Sequence, residues 1–142
     1  MTSPPADAVD VARLVLEHEA HGSDPADRAA AVQTAFLKLG DHWRDLLGSR
    51  GVIALVGRAL NLATRQHGCL AGVALSTELP ATFTGLAGAL AKETPENATE
   101  AGNAILAHFL HLLIILLGHQ LATHPVRNLW PRAMSSVKET DE

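Results

Sequence analysis

The stretch "AILAHFLHLLIILLGHQLA", residues 104–122, is the most apolar in the chain and holds three histidines, His108, His111 and His119. Its reading decides the fold. A transmembrane helix needs about 20 predominantly apolar residues. The uninterrupted run "LLIILLG" is far shorter, and the wider window carries the three histidines, Gln120 and no basic cluster on its N-terminal side. Polar side chains at bilayer depth are costly, so the stretch is expected to be a buried helix of a helical domain. Membrane association is kept as a lesser alternative.

Upstream, "ETPENATE" supplies a helix start: Thr94 as N-cap, Pro95 at the first position, and Glu96 and Glu100 near the positive end of the dipole. Downstream, His124-Pro125 is expected to stop the helix, because a residue before proline avoids the helical region. The stretch thus belongs to a long central helix, about 95–123, apolar around most of its circumference.

Amphipathic helices are expected around it. Val11, Leu14, Val15 and His18 are spaced i, i+3, i+4, i+7. Val32, Ala35, Phe36, Leu39, Trp43, Leu46 and Leu47 form one continuous stripe that Gly48 ends. Val52, Leu55, Val56, Ala59, Leu60 and Ala63 form a second, closed by Gly68. Asp24 and Pro25 read as N-cap and first helical residue. "CLAGVALSTELP" (69–80) has no helical period and is expected to be an irregular connection, in which "VALST" (73–77) could be a short extended piece. "PATFTGLAGALAK" is expected to restart a helix near Pro80, with Phe83, Leu86, Ala87 and Leu90 inward. The fold class is therefore all-α, a single-domain bundle of five to six helices over residues 1–142, frayed at 1–6 and 136–142 and without a supported sheet.

Composition agrees. Hydrophobic residues make up 47% but aromatics only 4%, so alanine and leucine, both strong helix formers, supply the core. The net charge of −4 argues against sequence-independent nucleic-acid binding, which needs a basic face. A single Cys69 excludes an internal disulfide, a four-cysteine zinc site and an iron–sulfur cluster held by this chain alone. The N-terminal residues show no basic segment followed by an apolar one, and the expected location is the cytoplasm.

The histidines are the first candidates for chemistry. On a helix, His108 and His111 lie about 60° apart on adjacent turns, while His119 is ~16 Å along the axis from His108. His108 and His111 could share a ligand with a group from another helix; His119 could not join them. No paired Glu-x-x-His motif of di-iron bundles occurs, and "HEAH" (18–21) is not the zinc-protease motif. A single axial histidine suffices for haem, so a ligand- or haem-binding sensor using His108 or His111 is the main alternative function. The expectation is that the two border the buried face and bind nothing, with no cofactor and no metal. Cys69 is expected to be inert, and His18 and His21 lie in no phosphotransfer motif. "GSRG" (48–51) lacks the lysine and Ser/Thr of a phosphate loop. No paired acids call for general acid–base catalysis.

Arg58, Asn61 and Arg65 share the polar side of their helix and form the candidate interaction face. Trp43 belongs to a core stripe. Trp130, in "NLWP", is either a lid over the bundle or an exposed anchor, and joins the candidate interaction residues.

Leu47 to Leu62, the helix 104–121 and Leu129-Trp130-Pro131 together resemble a group of small bacterial helical proteins. These share a Gly-x-Arg-Gly helix start and a Leu-Trp-Pro close. The resemblance spans about half the chain and implies a bacterial, soluble, all-α protein with no particular activity. The expected function is a non-enzymatic interaction or regulatory module, acting through a helix face on a protein partner or on itself as a homodimer, with no nucleic acid and no membrane.

Overall fold

The computed structural model describes residues 5–20, 22 and 24–132, and is all-α apart from one very short hairpin. Five helices occur among the described residues: α1 (Ala6–Glu19), α2 (Pro25–Gln66), α3 (Leu86–Ala91), α4 (Pro95–Leu117) and α5 (His119–Leu129). A 3-10 turn, Gly68–Gly72, follows α2. Pro5 is the N-cap of α1 and Ala6 its first residue; the rest of the ends expected to fray lies outside the described residues, as does His21.

Two glycines shape the bundle. Gly48 interrupts α2 with φ 77°, ψ 159°, and Gly118 separates α4 from α5 with φ 90°, ψ 159°. That region is open essentially to glycine alone, since a Cβ clashes there. The α2 interruption turns its second arm (49–66) back on the first (25–47), so that Gly40 lies against Val52. The first arm and α4 run the same way, Val32 lying at Gly102 and Phe36 against Phe109, with ring centroids 5.2 Å apart.

Helix α4 is the centre, packed on α2, α1, α5 and α3. Its residues 101–110 are buried without a break. Thr94 caps it, its hydroxyl accepting from the Asn97 N–H at 3.2 Å, with Pro95 next. Phe36 stacks edge-on against both Phe83 and Phe109 and ties three segments into one core.

Several expectations are corrected. The central helix ends at Leu117, not at 123: the glycine geometry at 118 breaks it before the proline can. Pro125 lies inside α5, which the following residues continue. The carbonyl four residues back that loses its donor belongs to Leu121, in an exposed turn where water can serve it. A small sheet exists: β1 (Ala74–Leu75) pairs antiparallel with β2 (Phe83–Thr84). Helix α3 starts at Leu86 after Gly85 (φ 86°), not near Pro80; Phe83 is buried from a strand, and Ala87 is exposed. His18 is exposed, its place on the α1 core face being taken by Ala12 and Leu16. Leu46 is 62% exposed although it sits within about 20° of buried Leu39 around the helix. Leu47, in the same turn, stays packed against the core, so the inward face there is taken by Leu47 and Trp43 and not by Leu46.

Candidate functional site

His108 is buried (1% exposed), not at the border of the core face. It belongs to the stretch 101–110 of α4, which is buried without a break because that helix is enclosed on nearly all sides through its middle. Its Nε2–H donates to the Gln66 side-chain oxygen at 2.8 Å, and Gln66 comes from the last turn of α2. Its Nδ1 is buried without a hydrogen-bond partner. Burial, then the neighbouring His111 and His67, hold its pKa below the ordinary value of 6.5, so the ring is neutral. His111, one turn on, is half-buried. Among the described residues no three His, Cys, Asp or Glu side chains converge to hold a metal ion. An axial ligand needs a free ring nitrogen facing open space; the Nε2 of His108 is engaged and its Nδ1 enclosed.

Below this histidine, Val9 and Arg13 of α1, Gln66 and His67, and Glu100, Asn103, Ala104 and Ala107 of α4 line a cleft of about 350 Å³. Cys69 is half-buried, and burial followed by the Glu93 carboxylate pushes its thiol pKa up. That favours the unreactive thiol over the thiolate nucleophile.

Trp130 is buried at 1% exposure, which corrects its candidacy as an exposed interaction anchor. Its indole N–H donates to Glu19 Oε2 at 2.6 Å, and Lys38 Nζ lies 2.5 Å from the same oxygen and 5.7 Å from the ring centroid. The residue closes the bundle as a lid joining α1, α2 and the end of α5. Burial alone would raise the Glu19 carboxyl, but the hydrogen bonds from Lys38 and Trp130 outweigh it and hold the pKa below 4.5.

Arg58, Asn61 and Arg65 all lie exposed on the second arm of α2, as their spacing predicted. Neither arginine forms an ion pair among the described residues. The exposed Arg13 and Arg44, by contrast, are paired with Asp10 and Asp41, each three residues away.

The surface that sequence reasoning missed is apolar. Ile115 (68% exposed), Leu116 (58%) and Leu121 (58%) flank the α4–α5 corner at Gly118. Because the first arm of α2 runs parallel to α4, Leu46 projects at the same end. No Asp, Glu, Lys or Arg occurs between Glu100 and Arg127. The available signal was Gly118 itself: a break there stops α4 before its last apolar turn can be covered. By length and composition alone, α2 and α4 could each cross a membrane, at mean hydropathy 1.3 and 1.7 over their most apolar windows. In α4, 56% of that window is buried inside the protein, and in α2, 33%.

Comparison with protein-family models, with curated proteins and with solved structures gives no match to this chain.

Proposed function

We propose that the protein is a non-enzymatic helical interaction module that self-associates through the α4–α5 corner. The observation that carries this reading is the exposure of Ile115, Leu116 and Leu121 on a stretch, 101–126, that holds no Asp, Glu, Lys or Arg, at the end where Leu46 also stands in water. Large aliphatic side chains left in water drive association when a complementary apolar surface is available. A two-fold dimer brings each patch onto its own copy, and residues 101–126 themselves bring no fixed charge into that contact. The stretch 101–126 itself carries no lysine or arginine, the residues on which binding to an anionic membrane draws.

The haem- or ligand-sensor reading has less support, because His108 is enclosed and hydrogen-bonded. The test is light scattering on the full chain without detergent, at concentrations of roughly 10–100 μM, where contacts of this modest size associate. A dimer that the Ile115→Gln/Leu116→Gln variant converts to a monomer is the expected result. A wild-type monomer across that range would overturn the reading.

A further inference from the structure

The second arm of α2 carries an imbalance of charge that the apolar corner does not explain. Residues 46–77 contain Arg50, Arg58 and Arg65 and no acidic residue, while the other 110 residues carry fifteen acidic and eight basic side chains. Arg58 and Arg65 are seven apart, which sets them within about 20° of each other and ~10.5 Å along the helix, with Asn61 beside them. Every side chain at i±3 or i±4 from either arginine is uncharged, so no intrahelical pair can form. Both are exposed and without an ion pair among the described residues. The exposed residues of this arm are Ser49, Arg50, Ala54, Arg58, Asn61, Arg65 and Gln66, with no large apolar side chain among them.

We infer that this arm, through Arg58, Asn61 and Arg65, docks a carboxylate-bearing segment of a different protein. Guanidinium groups pair with carboxylates in a two-pronged geometry, and Asn61 supplies a donor and an acceptor between them. A second copy is the wrong occupant of this face, because two-fold pairing would set one arginine row against the other. Nucleic acid is disfavoured by the overall charge of −4 and by an arm with only three arginines. A lipid surface is disfavoured by the lack of an exposed apolar anchor on the arm. The inference rests on reading the chain as an interaction module but not on the corner at Gly118.

The experiment is fluorescence anisotropy of the full chain with a labelled helical peptide bearing two glutamates seven residues apart on one face. Saturable binding is expected at low salt, weakened at least tenfold between about 20 and about 200 mM NaCl. The Arg58→Glu/Arg65→Glu variant, with an unchanged circular-dichroism melt, should bind at least tenfold more weakly. Arg58→Lys/Arg65→Lys should retain part of the affinity, because it keeps the charge and loses the fork. The peptide with glutamines in place of glutamates should not bind. No saturable binding at low salt, equal binding by the glutamine peptide, or unchanged binding by the double Glu variant would each overturn the inference. So would tighter binding of a single-stranded DNA oligomer than of the peptide. Ile115→Gln/Leu116→Gln should bind the peptide as the wild type does, so loss of self-association and loss of docking are read separately.

Discussion

Trp130 and Glu19 are 111 positions apart in the chain, yet the indole nitrogen of one lies 2.6 Å from a carboxylate oxygen of the other. The bond fastens the residue that follows α5 to the last residue of α1, and Lys38 of α2 completes it from the third side. Glu19→Gln removes the charge that both donors use and should cost about 1–3 kcal/mol in urea unfolding at pH 7. The pH dependence carries a sign. With its folded pKa below 4.5, the carboxyl contributes stability that is present above that value and lost as pH falls through the folded pKa. The stability difference between wild type and Glu19→Gln should therefore shrink below about pH 4.5.

His108 acts in a different window and in the opposite sense of charge. Its folded pKa lies below 6.5, so the unfolded chain takes up the proton first as pH falls. Its contribution is full above 6.5 and declines as pH drops through 6.5 toward the folded value. His108→Leu should remove that decline. The check is the urea midpoint of both proteins at pH 7.5 and 5.5, where the wild type should lose more than the variant.

The glycine breaks should tolerate no side chain. Gly48→Ala and Gly118→Ala each force a Cβ into a glycine-only conformation and should cost about 1–3 kcal/mol, although nothing lies within 4 Å of either position. Gly88→Ala is the control: it is helical, equally open, and should stabilise by about 0.5–1 kcal/mol. Thermal melts of the three variants would order them.

Phe36 meets two other rings in a buried, three-way contact, so Phe36→Ala should cost about 3–5 kcal/mol. Phe36→Leu keeps most of the volume and should cost less than half as much. Chemical denaturation of the two variants separates the cavity from the ring geometry.

Much of this architecture is written in periodicity. The stripe from Val32 to Trp43 and the stripe from Val52 to Ala63 both face the core, since i, i+3, i+4 spacing reports azimuth directly. Periodicity does not report where a stripe ends: Leu46 matches the spacing and still stands in water, while Leu47 beside it packs against the core. The histidine-bearing stretch at 104–122 divides for the same kind of reason: an apolar pattern continues through Gly118, but the backbone there does not. Pro125 carries the familiar stop signal, yet sits inside a helix because the donor it lacks is wanted only by an exposed carbonyl. Of the hairpin at 74–84, "VALST" shows as a short extended piece around β1, but β2 falls within an expected helix, because a two-residue strand carries no alternation to detect. At the candidate surfaces, Arg58, Asn61 and Arg65 were visible as a polar side of a helix. The exposure of Ile115, Leu116 and Leu121 depends on what fails to cover them, which no local pattern encodes, and Trp130 found a partner more than a hundred residues away.

That hairpin is held by a side chain of α2. The Gln33 side-chain amide donates to the Ala81 carbonyl, while its oxygen accepts from the Phe83 N–H at 2.9 Å. Thr82, between them, faces inward to Ser76. Ala81, two residues before Phe83 of β2, and Phe83 itself present the outer hydrogen-bonding groups there, where another chain's strand would add. One glutamine thus acts as a third strand a single residue long. It occupies the outer edge of β2, where a further strand would otherwise add.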